Sequence, residues 1–178
     1  LKVNMEAALQ PIALQAELIS ERMSRPYLGI DTSPAPLLDI SIGRAIEALS
    51  GVPFGSASTL TACAAITDVL KNLDLKSCGY SGLMLPILED TTLAARAMQG
   101  RYSISDLLLF SSVCGTGLDV VPLAGDIPHK DLVALVSDVA SLAKKYSKPL
   151  SARLFPVPGK KVGDIVKFNN PYLTDSVV

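Results

Sequence analysis

A chain of 178 residues is long enough for one domain with a sizeable core. Its 16 basic and 17 acidic side chains leave a formal net charge of −1 and form no block of one sign, which argues against nucleic acid and anionic membrane as partners. Apolar residues make up 49% and aromatics 5%, with no Trp, so Leu, Ile, Val and Ala must carry the packing, and no stretch reads as a bilayer span.

Three cysteines without metal-type spacing suit a reducing, cytoplasmic compartment better than a disulfide framework. No signal segment is visible, and the chain opens on Leu1 directly into a helical pattern, as a piece of a longer protein would. Met5, Leu9, Ile12, Ala16, Ile19 and Met23 recur at helical spacing, with Pro11 as a kink or late start and Arg25-Pro26 as the stop. "YLGID" reads as a short strand leading into the turn "TSPAP". "DISIGRAIEALSG" is helical, with Asp39 or Ser41 as N-cap and Gly51 as the glycine that closes it. Ser58 can cap a longer helix reaching Leu73.

"LMLPILED" reads as an apolar strand ending in two carboxylates, followed by a short helix capped by Asp90 or Thr91 and closed by Gly100. Ser103 and Asp106 have capping-box spacing and open the helix "ISDLLLFSSV". "LDVVPL" is a strand. The next helix has Leu132, Leu135, Val136, Val139, Leu142 and Tyr146 inward, with Asp138, Lys144 and Lys145 outward, and "PLSARLFPV" is the strand after it. Strands alternating with helices predict one α/β domain over residues 1–178. "VVPLAGD" and "LFPVPGK" echo one another, which predicts two strands ending in equivalent loops.

Sites in α/β proteins form beyond the carboxyl ends of strands. That rule selects Asp31, Thr32 and Ser33 after "YLGI", Glu89 and Asp90 after "LMLPIL", Asp126 after "VVPLAG", and Lys160 and Lys161 after "LFPVPG". Carboxylates from separate strands could hold a divalent cation or act as a general base; the same residues are also ordinary turn formers and caps. Cys114, in "SSVCGTGLD", ends a helix, where the dipole raises a thiol pKa. It is a nucleophile only if a base such as the sole histidine, His129, lies near it in the fold; otherwise it is a small buried packing residue, as Cys63 is. Gly115 and Gly117 permit a sharp reversal. "GTG" follows a helix and lacks dinucleotide spacing, and "PVPGKKVGD" is no P-loop, so no nucleotide motif is present. Arg153 lies within an apolar strand and must find a partner or face a ligand.

The stretches "YLGIDTSPAP", "GVPFGSASTLTACAAITDVLK", "CGYSGLMLPILEDTTLAARA", "YSISDLLLFSSVCGTGLDVVPLAGD" and "SARLFPVPGKKVGD" closely resemble, in order and over nearly the whole chain, domain of unknown function 711. Members of that family are longer, so the resemblance implies that this chain is their C-terminal part. It also implies part of a ten-stranded α/β barrel similar to the glycyl-radical enzymes of the pyruvate formate-lyase type, with Cys114 as a possible loop-tip thiol. The radical-glycine motif of those enzymes is matched only at Gly79-Tyr80, without the Arg and Val before it. A shared fold does not supply a reaction.

The leading expectation is an enzyme acting on a small polar or anionic metabolite in a barrel-centred pocket. Cys114, Asp119, Asp31 and Glu89 are the catalytic candidates, and Ser33, Thr116, Asp126, Arg153 and Lys160 the substrate-binding ones. A divalent cation is compatible with the carboxylates. The alternative is a non-catalytic metabolite-binding or assembly module, and the many small residues on the helices suit a homo-oligomer in either case.

Overall fold

The computed structural model describes residues 1–178. Six helices, one 3-10 turn and four strands follow in the order α1 (Lys2–Arg22), α2 (Ile42–Ser50), α3 (Thr59–Lys71), the 3-10 turn (Ile87–Glu89), α4 (Thr91–Met98), α5 (Ile104–Cys114), β1 (Gly117–Ala124), α6 (His129–Tyr146), β2 (Ser151–Val157), β3 (Ile165–Val166) and β4 (Ser176–Val177).

The centre of the fold is β1. All eight of its residues are buried, as a strand covered on both faces requires. It pairs in parallel with β2, and α6 makes the crossover between them. The echoed segments thus lie side by side, with Val121 opposite Leu154 and Ala124 opposite Val157. Their turns are tied together where Gly125 N–H donates to the carbonyl of Lys160 at 2.9 Å. The ladder is interrupted between Leu118 and Val121, where Val120 adopts a φ of +46°. A β-branched residue in that region is strained.

α2, α3, α4 and α5 pack together over β1 around Ile46, Phe54, Cys63, Leu70, Leu83 and Leu93. The few aromatics gather there: Phe54 meets Tyr102 and Phe110 edge-on at centroid distances of 5.1 and 5.4 Å. Cys63 belongs to this core, fully buried.

The caps follow the sequence signals. Ser41 accepts the N–H of Arg44 and Gly51 closes α2 at φ +75°. Ser103 and Asp106 complete their capping box. Asp90 caps α4 through the N–H groups of Thr92 and Leu93. Ser58 does not cap α3: it sits at φ +81° without a side-chain bond, while Thr59 Oγ1 accepts the N–H of Gly55 instead.

Three expectations are corrected. The predicted strands "YLGID" and "LMLPIL" each reduce to one parallel bridge, Ile30 with Ser77 and Pro86 with Asp119. Pro86 has no N–H to continue a ladder, and the chain turns directly into the 3-10 element. The sheets are two-stranded, β1–β2 and β3–β4, so the architecture is mixed α/β and these residues close no barrel. α1 forms where the helical spacing of Met5 to Met23 predicts a helix, with Ala13 its one buried residue and Ile12, Ile19 and Met23 exposed. Val136 of the predicted inner face of α6 is likewise exposed, leaving Val139 as the one fully buried residue of that helix. No helix is long and apolar enough to cross a membrane.

Candidate functional site

The residues singled out from the sequence fall into three groups along β1. At its amino end, α5 stops where Gly115 takes φ +72° and Gly117 takes φ +96°, the reversal that "CGTG" predicts. Cys114 is fully buried, with its sulfur 3.4 Å from Thr116 Oγ1, and Thr116 Oγ1 donates to the carbonyl of Leu83 at 2.7 Å. Both side chains therefore tie α5 and β1 to the segment before Pro86. His129 begins α6, beyond the opposite, carboxyl end of β1. The burial of Cys114 and its contact with Thr116 are those of the packing alternative.

Asp31 and Ser33 stand at the same end and clasp a loop. The Asp31 carboxylate accepts the N–H and hydroxyl of Ser33 at 3.0 and 2.7 Å, and the N–H groups of Tyr80 and Ser81 at 2.9 Å each. Ser33 Oγ in turn accepts the N–H of Gly82 at 3.1 Å. Partial burial pushes the Asp31 carboxyl upward, but the Ser33 hydroxyl and the three N–H donors outweigh it and hold the group below its ordinary value. An acid so stabilised as the anion is a poor base near neutrality. Lys148, which the sequence reading passed over, completes the cluster by donating from Nζ to the carbonyl of Tyr80. Burial and the nearby Lys71 lower its ammonium pKa against the opposing pull of Asp31 and Cys114. The only sequence signal for Lys148 is its place just before β2.

Midway along β1, three predicted residues do meet. Arg153 on β2 donates from Nε to Oδ1 of Asp119, and its two terminal nitrogens reach the oxygens of Glu89 at 3.4 and 3.3 Å. The three side chains grade from buried to open, at 3% exposure for Asp119, 28% for Glu89 and 48% for Arg153. Hydrogen bonding to Asp119 raises the Arg153 pKa, against desolvation, with the charges of Asp119 and Glu89 adding to it. Asp119 Oδ2 is buried with no hydrogen-bond partner. The strained Val120 follows directly. Glu89 reaches the site because the turn after Pro86 replaces a strand there.

The third group lies beyond the carboxyl end of β1. Asp126 is exposed in the turn before α6, and Lys160 Nζ donates to the carbonyl of Ile165 at 3.0 Å, holding its own loop. Asp90, one of the cation candidates, is fully buried and accepts from Ser41 Oγ at 2.7 Å and Gly43 N–H at 3.1 Å besides capping α4. It joins the starts of two helices. No group of three or more His, Cys, Asp or Glu side chains is placed to hold a metal ion. The structure thus unites Asp119, Glu89 and Arg153, and separately Asp31 and Ser33, and it leaves Asp126 and Lys160 apart from both.

Residues 2–169 match the family described as Uncharacterised ACR (DUF711). The chain is 32% identical over 160 residues to a UPF0210 protein of Pyrobaculum aerophilum, covering 86% of this chain and 36% of that one. It is 33% identical over 156 residues to a UPF0210 protein of Syntrophobacter fumaroxidans, covering 84% and 34%. With a UPF0210 protein of Lacticaseibacillus paracasei it shares 29% over 168 residues, covering 91% and 38%. The chain therefore spans little more than a third of the length of these relatives. The match starts at the chain's second residue and stops short of Asn170, and it carries neither a C-terminal placement in the longer proteins nor a link to glycyl-radical enzymes. By this match over nearly its whole length, the chain belongs to the DUF711 (UPF0210) family.

Proposed function

We propose that this chain recognises a small anionic metabolite through Arg153. One observation carries the reading: the guanidinium is anchored from beneath by a buried carboxylate and presents its terminal nitrogens toward solvent, engaged only by long contacts to Glu89. Charge-assisted N–H···O bonds run at about 2.7–2.9 Å, so Glu89 is a weak occupant that a carboxylate or phosphoryl group displaces. An arginine fixed by one partner offers a planar fork to the next with little further loss of freedom.

Recognition without chemistry is the better-supported reading, because the Asp31 carboxylate is held by four donors and Asp119 is buried beneath Arg153. If the complete family protein turns its ligand over, Glu89 is the acid/base group this region supplies, since it is neither pinned nor fully buried. The three free cysteines fit a reducing compartment.

The test is titration of the chain with succinate and with inorganic phosphate, followed on the Arg153 side-chain NMR signals. Glu89→Gln removes the competing charge and should tighten binding several-fold. Arg153→Lys should weaken it about tenfold, the equivalent of about 1.4 kcal/mol. Affinity indifferent to both changes would overturn the assignment.

A further inference from the structure

A second concave surface lies at the carboxyl end of β1, apart from Arg153. It encloses about 640 Å³ and is walled by Val121, Leu123 and Ala124 of β1, by Tyr102 and Ile104 where α5 begins, and by Val178 after β4. That volume is in the range of small-molecule sites, about 300–1,000 Å³. Val178 is held against the loop before β3, since Gly163 N–H donates to the Val178 carbonyl at 2.9 Å and Val178 N–H to the Asp164 carbonyl at 3.0 Å.

The polar groups around this hollow are not equally free. Tyr102 Oη donates to the Leu93 carbonyl at 2.8 Å, and Ser103 Oγ is engaged with Asp106. Asp131 stands in the first turn of α6, where a negative charge complements the helix dipole. Asp126 has no such duty. It caps no helix, and neither it nor Asp131 takes part in an ion pair. No Lys, Arg or His side chain lines the hollow. An apolar chamber whose lining carries two carboxylates and no cation repels an anionic amphiphile and attracts a cationic one.

We infer that this hollow binds a small amphipathic amine, its hydrocarbon body against β1 and the start of α5 and its ammonium toward Asp126 and Asp131. The chemical class is set by the walls and the charge together. A fatty acid satisfies the first and is disfavoured by the second.

The experiment compares 4-phenylbutylamine, 4-phenylbutan-1-ol and 4-phenylbutyrate, near-isosteric probes of different charge, by titration and by nuclear Overhauser contacts to the methyl groups of Val121, Leu123 and Val178. The amine should bind at least about tenfold tighter than the acid, about 1.4 kcal/mol, with the alcohol between them. Asp126→Asn combined with Asp131→Asn should bring the amine to the level of the alcohol without removing the contacts. Added salt should narrow the preference in the parent chain. Three outcomes would overturn the inference: acid and amine binding equally, ring contacts falling outside the hollow, or no binding of any probe at millimolar concentration because a second copy of the chain covers the hollow. The Overhauser contacts need no variant, so a misfolded double mutant leaves the inference exposed to refutation.

Discussion

Arg153 and Asp119 meet across the parallel pair with unequal exposure: the guanidinium is half open to water while the carboxylate beneath it is buried, one oxygen bonded and the other without a partner. Removing the cation therefore costs more than removing the pair. Arg153→Leu should lose about 1–3 kcal/mol, because the Asp119 charge is left buried and unpaired. Adding Asp119→Asn should recover part of that loss. Urea unfolding of the two single variants and the double variant measures the coupling. Strictly additive losses would show that the contact contributes nothing.

The thiols make a separate prediction. Cys63 and Cys114 are fully buried, and burial, with the nearby Cys114 adding to it, pushes the Cys63 thiol up to about 12. Cys78 is only half-buried, its sulfur donating to the Gly29 carbonyl at 3.1 Å. A thiol reagent such as Ellman's reagent at neutral pH should modify Cys78 in the native chain and reach the other two only on unfolding. Cys114→Ala should preserve anion binding at Arg153. Rapid labelling of Cys114 in the folded chain would restore it as a reactive group.

What the sequence made legible follows how local each signal is. The capping box at Ser103 and Asp106, the Gly51 closure and the Gly115–Gly117 reversal depend on residues within a few positions, and each was readable. The strand at "LMLPIL" was over-read, since Pro86 stands within the run and argues against a continuing ladder. Asp90 reads as a cap of α4, but its second task at the start of α2 depends on Ser41 and Gly43, far away in sequence. The same distance hides the Asp31 clasp, whose donors Tyr80 and Ser81 come from another loop. Arg153 was the exception: a guanidinium inside an apolar strand demands a partner, and both partners proved to be carboxylates already singled out.

Glycine substitutions grade the loops by space and backbone conformation. At Gly117, φ is +96° and an added Cβ would lie 2.2 Å from the Ser151 carbonyl oxygen, at the first rung of the parallel pair. At Gly79, φ is +66° and the Cβ would lie 2.3 Å from Asp31 Oδ2. Gly51 and Gly159 also have positive φ, but nothing lies within 4 Å of the added atom. Alanine at Gly51 or Gly159 should cost about 1 kcal/mol, from conformation alone. Gly79→Ala and Gly117→Ala should each cost more, with Gly117→Ala the worst because rigid backbone is what it meets. Thermal unfolding of the four variants checks the order, and equal losses at all four would deny the close approaches.

Acid should unfold the chain partly through two carboxylates. Asp31 is held low by the Ser33 hydroxyl and the N–H groups of Ser33, Ser81 and Tyr80, which together exceed the opposing effect of burial. Glu47 is held low chiefly by its hydrogen bonds with Arg96, with burial opposing and the Phe54 N–H assisting. A carboxyl whose folded pKa lies below its unfolded one stabilises the fold above the unfolded value, about 4, and that stability is lost as pH falls through the folded value. The native state binds fewer protons in this window, so stability must decline with falling pH. Asp31→Asn and Glu47→Gln should each start less stable at neutral pH and lose less between about pH 5 and pH 2 than the parent chain. Urea midpoints across that window provide the measurement. Parallel acid profiles for parent and variants would mean that neither carboxylate is held low, and the Asp31 clasp would lose its electrostatic basis.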